Sequence, residues 1–305
     1  MRLLCNATSY GDPPGGAGLR ASALLGALRA LEPDWEIEFL LARDTPAGLV
    51  PHGCLSRRLA VSAGSRARRF LTLSLPVDGD VLLTDHYPVG PLPTVLTLHD
   101  CGRGAVRSRL LRRNATRAAV CVAVSEVVRA ALAPDAVVVP NGVEVPAELP
   151  PSPMGEYVRV SDPGVAHKDV EVARAAAAAV GVRLLEVGRG AEWLEHADFM
   201  AHIAGARAVV VPSREEGFGM VPLEAMALCR PVVVSDIPAH REVCGEHAWY
   251  APPGDVAGFV AALREALVGT PDRLSAAKAH ARRFTWTAAA DRLREAIRTV
   301  SAQSV

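Results

Sequence analysis

One stretch of the sequence, ARAVVVPSREEGFGMVPLEAMALCRPVVVSDIP from Ala206 to Pro238, leaves few folds open. Ala208 to Val211 is too short for a helix and rich in β-branched valine, the pattern of a buried strand. Pro212 and Ser213 end it. A polar turn, Arg214-Glu215-Glu216-Gly217-Phe218-Gly219, leads into Val221 to Leu228, a short helix opening near Pro222. A second valine strand, Pro231 to Ser235, follows at once. Strand, glycine turn, helix and strand make a βαβ unit. Open parallel sheets bind ligands outside the carboxyl ends of their strands, which is where Glu216 to Met220 falls. Gly217 and Gly219 let the backbone come close to a ligand, and the free N–H groups of the helix start favour an anion beside them. Two acids, Glu216 in the turn and Glu224 in the helix, have seven residues between them.

The remaining sequence has to supply the rest of such a sheet. With 305 residues, 50% of them hydrophobic, the chain can bury a large core and should divide into two domains. A formal charge of zero gives no global attraction to nucleic acid. Cys5, Cys54, Cys101, Cys121, Cys229 and Cys244 are scattered without a Cys-x-x-Cys pair, which suits reduced thiols in a cytoplasm and argues against structural zinc. The start, MRLLCNATSYGDPP, turns polar too soon for a signal peptide or a spanning helix.

In chain order, Arg2 to Cys5 reads as a strand, Gly11 to Gly18 as a glycine-rich turn, and Leu19 to Leu31 as a helix with Leu24, Leu25, Leu28 and Leu31 at helical spacing. Gly15 and Gly16 thus precede a helix N-terminus, a place for an anion, for a ligand hydroxyl, or for a plain tight turn. Glu36 to Ala42 is a second strand. Between Ser56 and Arg117, the residues Arg57, Arg58, Arg66, Arg68, Arg69, Arg103, Arg107, Arg109, Arg112, Arg113 and Arg117 face only Asp78, Asp80, Asp85 and Asp100. Such a surface can attract an anionic acceptor or acidic lipid headgroups. Arg66 to Arg69 lacks the apolar face that anchors a helix in a membrane, so a solvated face is the favoured reading. Strands follow at Asp80 to Thr84, Thr94 to Leu98, Val120 to Val124 and Ala136 to Val139, with Ser125 as the N-cap of a helix. His99-Asp100 closes the second of these, at its carboxyl end. Val145 to Pro153 is a proline-rich linker. Beyond it come a strand at Glu156 to Val160, a loop reaching Lys168, an alanine-rich helix to Val180, and a strand at Arg183 to Val187 ending in Gly188-Arg189-Gly190. Helices close the chain at Asp255 to Val268, Ala276 to Arg283 and Ala288 to Val300.

With VVVPS before the two acids, EGFG and LEAMA across them and RPVVVSDIPAHREV after them, this region resembles the Glu, seven residues, Glu motif of retaining nucleotide-sugar glycosyltransferases of the GT-B fold, family 4 (group 1). The resemblance covers nearly the whole chain, through TVLTLHD ending at Asp100, VSE ending at Glu126, PNGV ending at Val143 and RFTW ending at Trp286. It implies an α/β protein of two Rossmann-like doubly wound domains facing a central cleft. The acceptor domain would be 1–144, the linker 145–154, the nucleotide-sugar domain 155–285, and a helix over 286–305 would cross back to the first domain. By the same resemblance Glu216 lies by the transferred sugar, Glu224 holds the ribose, and the backbone of Gly217, Phe218, Gly219, Met220 and Val221 meets sugar and phosphates. Lys168 neutralises the diphosphate, Gly15 and Gly16 meet acceptor and donor phosphate, Gly188 lies near the nucleotide, and His99 points toward the sugar. One departure stands out. Ser161 or Asp162 occupies the place of the family's second diphosphate cation, with Arg159 displaced toward the strand and Arg189 a candidate replacement.

The resemblance therefore implies glycosyl transfer, with retention, from a UDP- or GDP-type donor, with His99, Glu216 and Lys168 as catalytic residues. Lysine and amides would hold the leaving diphosphate without an essential metal. The acceptor reads as a small specialised metabolite, such as a nucleoside or aminocyclitol antibiotic precursor, or as a cell-envelope lipid. Fold does not fix chemistry. A sugar-nucleotide epimerase, a phosphorylase-type enzyme, and a non-catalytic nucleotide-sugar-binding partner subunit are the alternatives, the last suited to an incomplete diphosphate clamp.

Overall fold

The computed structural model describes residues 1–11, 15–64, 78–85, 92–102, 104–151, 157–188, 190–192 and 194–302. In chain order the elements are β1 (Arg2–Ala7), α1 (Gly15–Leu31), β2 (Glu36–Leu41), β3 (Leu55–Arg58), β4 (Val81–Asp85), β5 (Thr94–Leu98), α2 (Ala105–Ala115), β6 (Val120–Ala123), α3 (Glu126–Leu132) and β7 (Val137–Val138). There follow β8 (Tyr157–Ser161), α4 (Val170–Val180), β9 (Arg183–Val187), α5 (His196–Gly205), β10 (Ala208–Val211), α6 (Met220–Ala227), β11 (Val232–Ser235), α7 (Pro238–Cys244), β12 (Trp249–Ala251), α8 (Val256–Leu267), α9 (Pro271–Ala281) and α10 (Trp286–Ala302). The chain divides into two compact units, Met1–Gly142 together with Trp286–Val305, and Val143–Thr285.

The first unit is built on a parallel sheet of order β3-β2-β1-β4-β5-β6-β7. Alternation along β1 feeds both faces: Leu3, Cys5 and Ala7 join Leu24, Leu25 and Leu28 of α1 in one core, while Leu4 meets Leu40 and Leu82 on the other side. The amphipathic α10 completes the larger core with Ala289, Ala290, Leu293, Ala296, Ile297 and Val300. The expected turn through Gly15 to Gly18 is instead the first turn of α1, opened by Gly15 at φ 66°. Glycine weakens a helix interior, but the buried leucine stripe behind it carries this one. Asp12, Pro13 and Pro14 lie outside the described residues.

The edge strand β3 has no counterpart in the sequence reading, because LSRR shows neither alternation nor apolar density. Pairing with β2 creates it, and Arg57 holds it there, donating from Nε to Glu38 Oε1 at 2.7 Å. Part of the basic stretch is thus spent on internal contacts. Arg58 donates to the carbonyls of Ala42, Arg43 and Thr45, Arg107 pairs with Asp100 at 2.8 Å, and Arg112 donates to the Ala131 carbonyl. Arg66, Arg68, Arg69 and Arg103 lie outside the described residues.

The second unit has a parallel sheet of order β12-β11-β10-β8-β9. Its core sets Val158, Val160, Ala208, Val210 and Val233 against Ala173, Ala176 and Ala177 of α4 and Phe259 and Leu263 of α8. Unforeseen in the sequence were α5, α7 and β12, short elements whose periodicity is too brief to read. Among the described residues no helix is long and apolar enough to cross a membrane.

Candidate active site

In the second sheet the strand order reverses between β8 and β10, so the loops leaving those strands flank the switch point where open α/β sheets bind ligands. Lys168 lies in the 3-10 turn after β8 and Glu216 in the turn after β10. They meet: Lys168 Nζ is 2.7 Å from Glu216 Oε1, which also accepts from Ser213 Oγ at 2.8 Å. The loops are tied again by the Arg214–Asp169 ion pair at 2.8 Å and by the Arg214 amide donating to the His167 carbonyl at 2.8 Å. Burial alone would push the Glu216 carboxyl up, but Lys168, with His240 and Ser213, brings it below the ordinary range. Both residues are therefore charged partners of each other.

Gly219, at φ 112°, turns the chain into α6, and a Cβ built there would lie 3.4 Å from His240 Cδ2. Met220 and Val221, half-buried, begin the helix, where N–H groups have no intrahelical acceptor. Phe218 is buried and packs edge-on against Phe284, ring centroids 6.0 Å apart, so its side chain is committed to packing. His240 was missed by sequence reasoning. It is fully buried on α7, its Nδ1 lies 2.9 Å from the Ser235 carbonyl, and Nε2 has no partner among the described residues. Burial lowers its pKa, against the opposing charge of Glu216.

Glu224, on α6, is 6% exposed, and burial pushes its carboxyl up to about 7 despite the opposing charge of Arg159. Arg159 is a residue of β8, fully buried, with Nη1 donating to Ser161 Oγ at 3.0 Å and its guanidinium 4.0 Å from the Phe199 ring centre. Its Nε and Nη2 find no hydrogen-bond partner among the described residues. As a stand-in for the second diphosphate cation it would have to leave that position. Gly188 has φ 95°, and a Cβ there would fall 2.3 Å from Asp162 Oδ1, so glycine is required by the close approach of the loop after β8. Arg189 lies outside the described residues.

In the first sheet the order reverses between β1 and β4, and Asn6 Nδ2 donates to Thr84 Oγ1 across it at 2.9 Å. Just past this point stand Tyr10, Asp85 and His99. His99 Nε2 is 2.8 Å from Asp85 Oδ1, and Tyr10 Oη donates to Asp85 Oδ2 at 2.5 Å. Burial, followed by the charge of Asp85, pushes the Tyr10 phenol up, so it stays a donor. Behind them Arg20 is buried and donates from Nε to Asn141 Oδ1 at 2.6 Å, which gives the Asn-Gly turn a structural task. Asp100 is a turn-former, accepting from the Gly102 amide at 2.8 Å. Gly15 is buried at the start of α1, whereas Gly16 is exposed with open space around it. Among the described residues no group of three or more His, Cys, Asp or Glu is placed to hold a metal ion.

Residues 167–268, which carry Lys168, Glu216, Glu224 and His240, match the family of glycosyl transferases group 1. Over that span the chain is similar to the family. Over 70 residues the chain is 44% identical to the O-antigen chain mannosyltransferase RfbU of Salmonella typhimurium, an alignment covering 23% of the chain and 20% of the relative's length. It is 29% identical to the phosphatidyl-myo-inositol mannosyltransferase of Mycobacterium leprae across 95% of the chain and 94% of that relative. Among solved structures, sucrose-phosphate synthase from Thermosynechococcus elongatus superposes with a TM-score of 0.78 at 17% identity, covering 99% of this chain and 100% of the other. That likeness establishes the GT-B type of fold.

Proposed function

We propose that the protein transfers a glycosyl group from a UDP- or GDP-type nucleotide sugar to a hydroxyl-bearing acceptor, with retention at the anomeric carbon. The Lys168–Glu216 pair at the switch point of the second sheet carries the reading. A donor diphosphate entering there competes for the Lys168 ammonium. Its capture sets Glu216 free to orient the sugar hydroxyls, and the amides at the start of α6 direct the phosphates. Lysine and amides stabilise the charge on the departing diphosphate, a task that requires no metal. Glu224, when ionised, accepts from the ribose hydroxyls. The acceptor's proton passes to the leaving phosphate, and the first unit supplies His99 for hydrogen bonding to a hydroxyl. Likeness over nearly the full length to a phosphatidyl-myo-inositol mannosyltransferase favours a cell-envelope acceptor over a small specialised metabolite.

The test pairs calorimetry with product analysis by mass spectrometry across a panel of nucleotide sugars and acceptors. Lys168→Ala is expected to weaken nucleoside diphosphate binding at least tenfold, because it removes the cation facing the phosphates. His99→Ala should leave that affinity intact and slow transfer at saturating donor. A new nucleotide sugar formed without acceptor would instead reveal an epimerase. A thermal shift with no turnover on any donor would reveal a binding subunit.

A further inference from the structure

We propose that His240 is a positioning residue for Glu216: it takes up a proton on Nε2 when the donor diphosphate draws Lys168 away, and as a cation it keeps the Glu216 carboxylate charged and in place against the sugar. The inference rests on the transferase reading only for the arrival of a diphosphate at Lys168.

The Glu216 side chain is 14% exposed, and both of its protein contacts run through one oxygen. Oε1 meets Lys168 Nζ at 2.7 Å and Ser213 Oγ at 2.8 Å, while Oε2 has no hydrogen-bond partner among the described residues. A buried carboxylate that loses its counter-charge either picks up a proton or finds another cation. A protonated Glu216 would give up acceptor capacity just as the sugar hydroxyls arrive.

His240 is placed to be that second cation. It is 0% exposed on α7, behind the turn that follows Glu216: a Cβ built on Gly219 would lie 3.4 Å from its Cδ2 and 4.0 Å from its Nε2. A carbonyl can only accept, so the 2.9 Å contact with the Ser235 carbonyl puts the ring proton on Nδ1 and leaves the lone pair on Nε2. That nitrogen is buried without a partner, which calls for a state in which it is used. Burial keeps the ring neutral, Glu216 favours its protonation, and Lys168 opposes it. Departure of the ammonium therefore acts twice, since it removes a cation from beside the ring and unmasks the Glu216 charge. The incoming diphosphate adds negative charge of its own, and the solvent supplies the proton. Other titratable groups on the elements around the ring are already committed. Arg241 of α7 pairs with Asp236 after β11 and lies over the Tyr250 ring of β12. Tyr250 Oη donates to the Gly245 carbonyl, His280 of α9 meets the Val243 carbonyl, and Glu224 of α6 has Arg159 as its charged neighbour.

The full chain is titrated calorimetrically with a panel of UDP-, GDP-, ADP- and TDP-sugars, whose diphosphates carry no oxygen that titrates near neutral pH, in buffers of different ionisation enthalpy. With the nucleotide sugar that binds, the parent is expected to take up about one proton per donor bound, so that affinity rises as pH falls by up to about tenfold per unit. His240→Gln should bind severalfold more weakly, with no proton uptake and a flat pH profile. Lys168→Met, free of any ligand, mimics the departed ammonium. In 15N-histidine-labelled protein the His240 ring signals, assigned by their loss in His240→Gln, should reach the doubly protonated form about one pH unit or more higher in Lys168→Met than in the parent. Donor binding by the parent without proton uptake overturns the proposal, as does uptake that survives in His240→Gln or a ring that titrates alike in the parent and Lys168→Met. Failure of the transferase reading looks different: no member of the panel binds the parent, while the ring shift in Lys168→Met still marks His240 as the second partner of Glu216.

Discussion

A buried carboxylate beside a buried, under-bonded arginine is a costly arrangement, and Glu224 and Arg159 are its two halves. The Glu224 pKa, about 7, stands above that of an unfolded chain. Stability from the neutral form is therefore fully present below the unfolded value of about 4.3 and lost as pH rises through about 7. Glu224→Gln is expected to raise stability at pH 8 by up to about 3 kcal/mol, with the gain vanishing near pH 4, read as melting temperature against pH. A gain independent of pH would remove the carboxylate from that account. The same substitution should weaken nucleotide binding by roughly 1.5–3 kcal/mol, the worth of a charged hydrogen bond. The two acids were legible because the motif has a fixed spacing. His240, Tyr10 and the contacts of Asp85 were not, since a residue reads as structural until its neighbours across the sheet are known.

At the scale of elements, the loop after β9 is set by one glycine and the start of α1 tolerates another. Gly188→Ala puts a methyl 2.3 Å from Asp162 Oδ1 on a backbone at φ 95°. A loss of about 1–3 kcal/mol is expected in chemical denaturation. Gly16→Ala meets open space within the helix and should be neutral or stabilising by about 0.5 kcal/mol. Equal losses for the two variants would contradict the geometric argument. The valine strands were readable as short, continuous β-branched apolar runs, and the alanine and leucine helices as longer stretches with helical spacing. β3 and α7 were not: LSRR is a strand only because β2 offers it a ladder, and α7 turns inward through Ala239, His240, Val243 and Cys244 on a polar sequence.

At the scale of the molecule, the last helix belongs to the core of the first unit although it follows the second in sequence. Leu293→Ala removes a buried side chain from that core and should cost about 2–5 kcal/mol. Calorimetry is expected to show the transition of the first unit lowered while nucleoside diphosphate binding by the second persists. A concerted loss of both would show that the units do not melt separately. Composition and periodicity by themselves determined that the chain is α/β, because runs of valine and stripes of leucine bury themselves in only those two ways. The acid spacing and its surrounding residues marked one ligand-binding end of one sheet. Strand order was decided only in three dimensions, since parallel pairing is set by which crossovers pack and not by any local run of residues. From that order came the meetings of Lys168 with Glu216 and of Asp85 with His99 and Tyr10, contacts between residues on separate strands or loops that no local pattern in the sequence encodes.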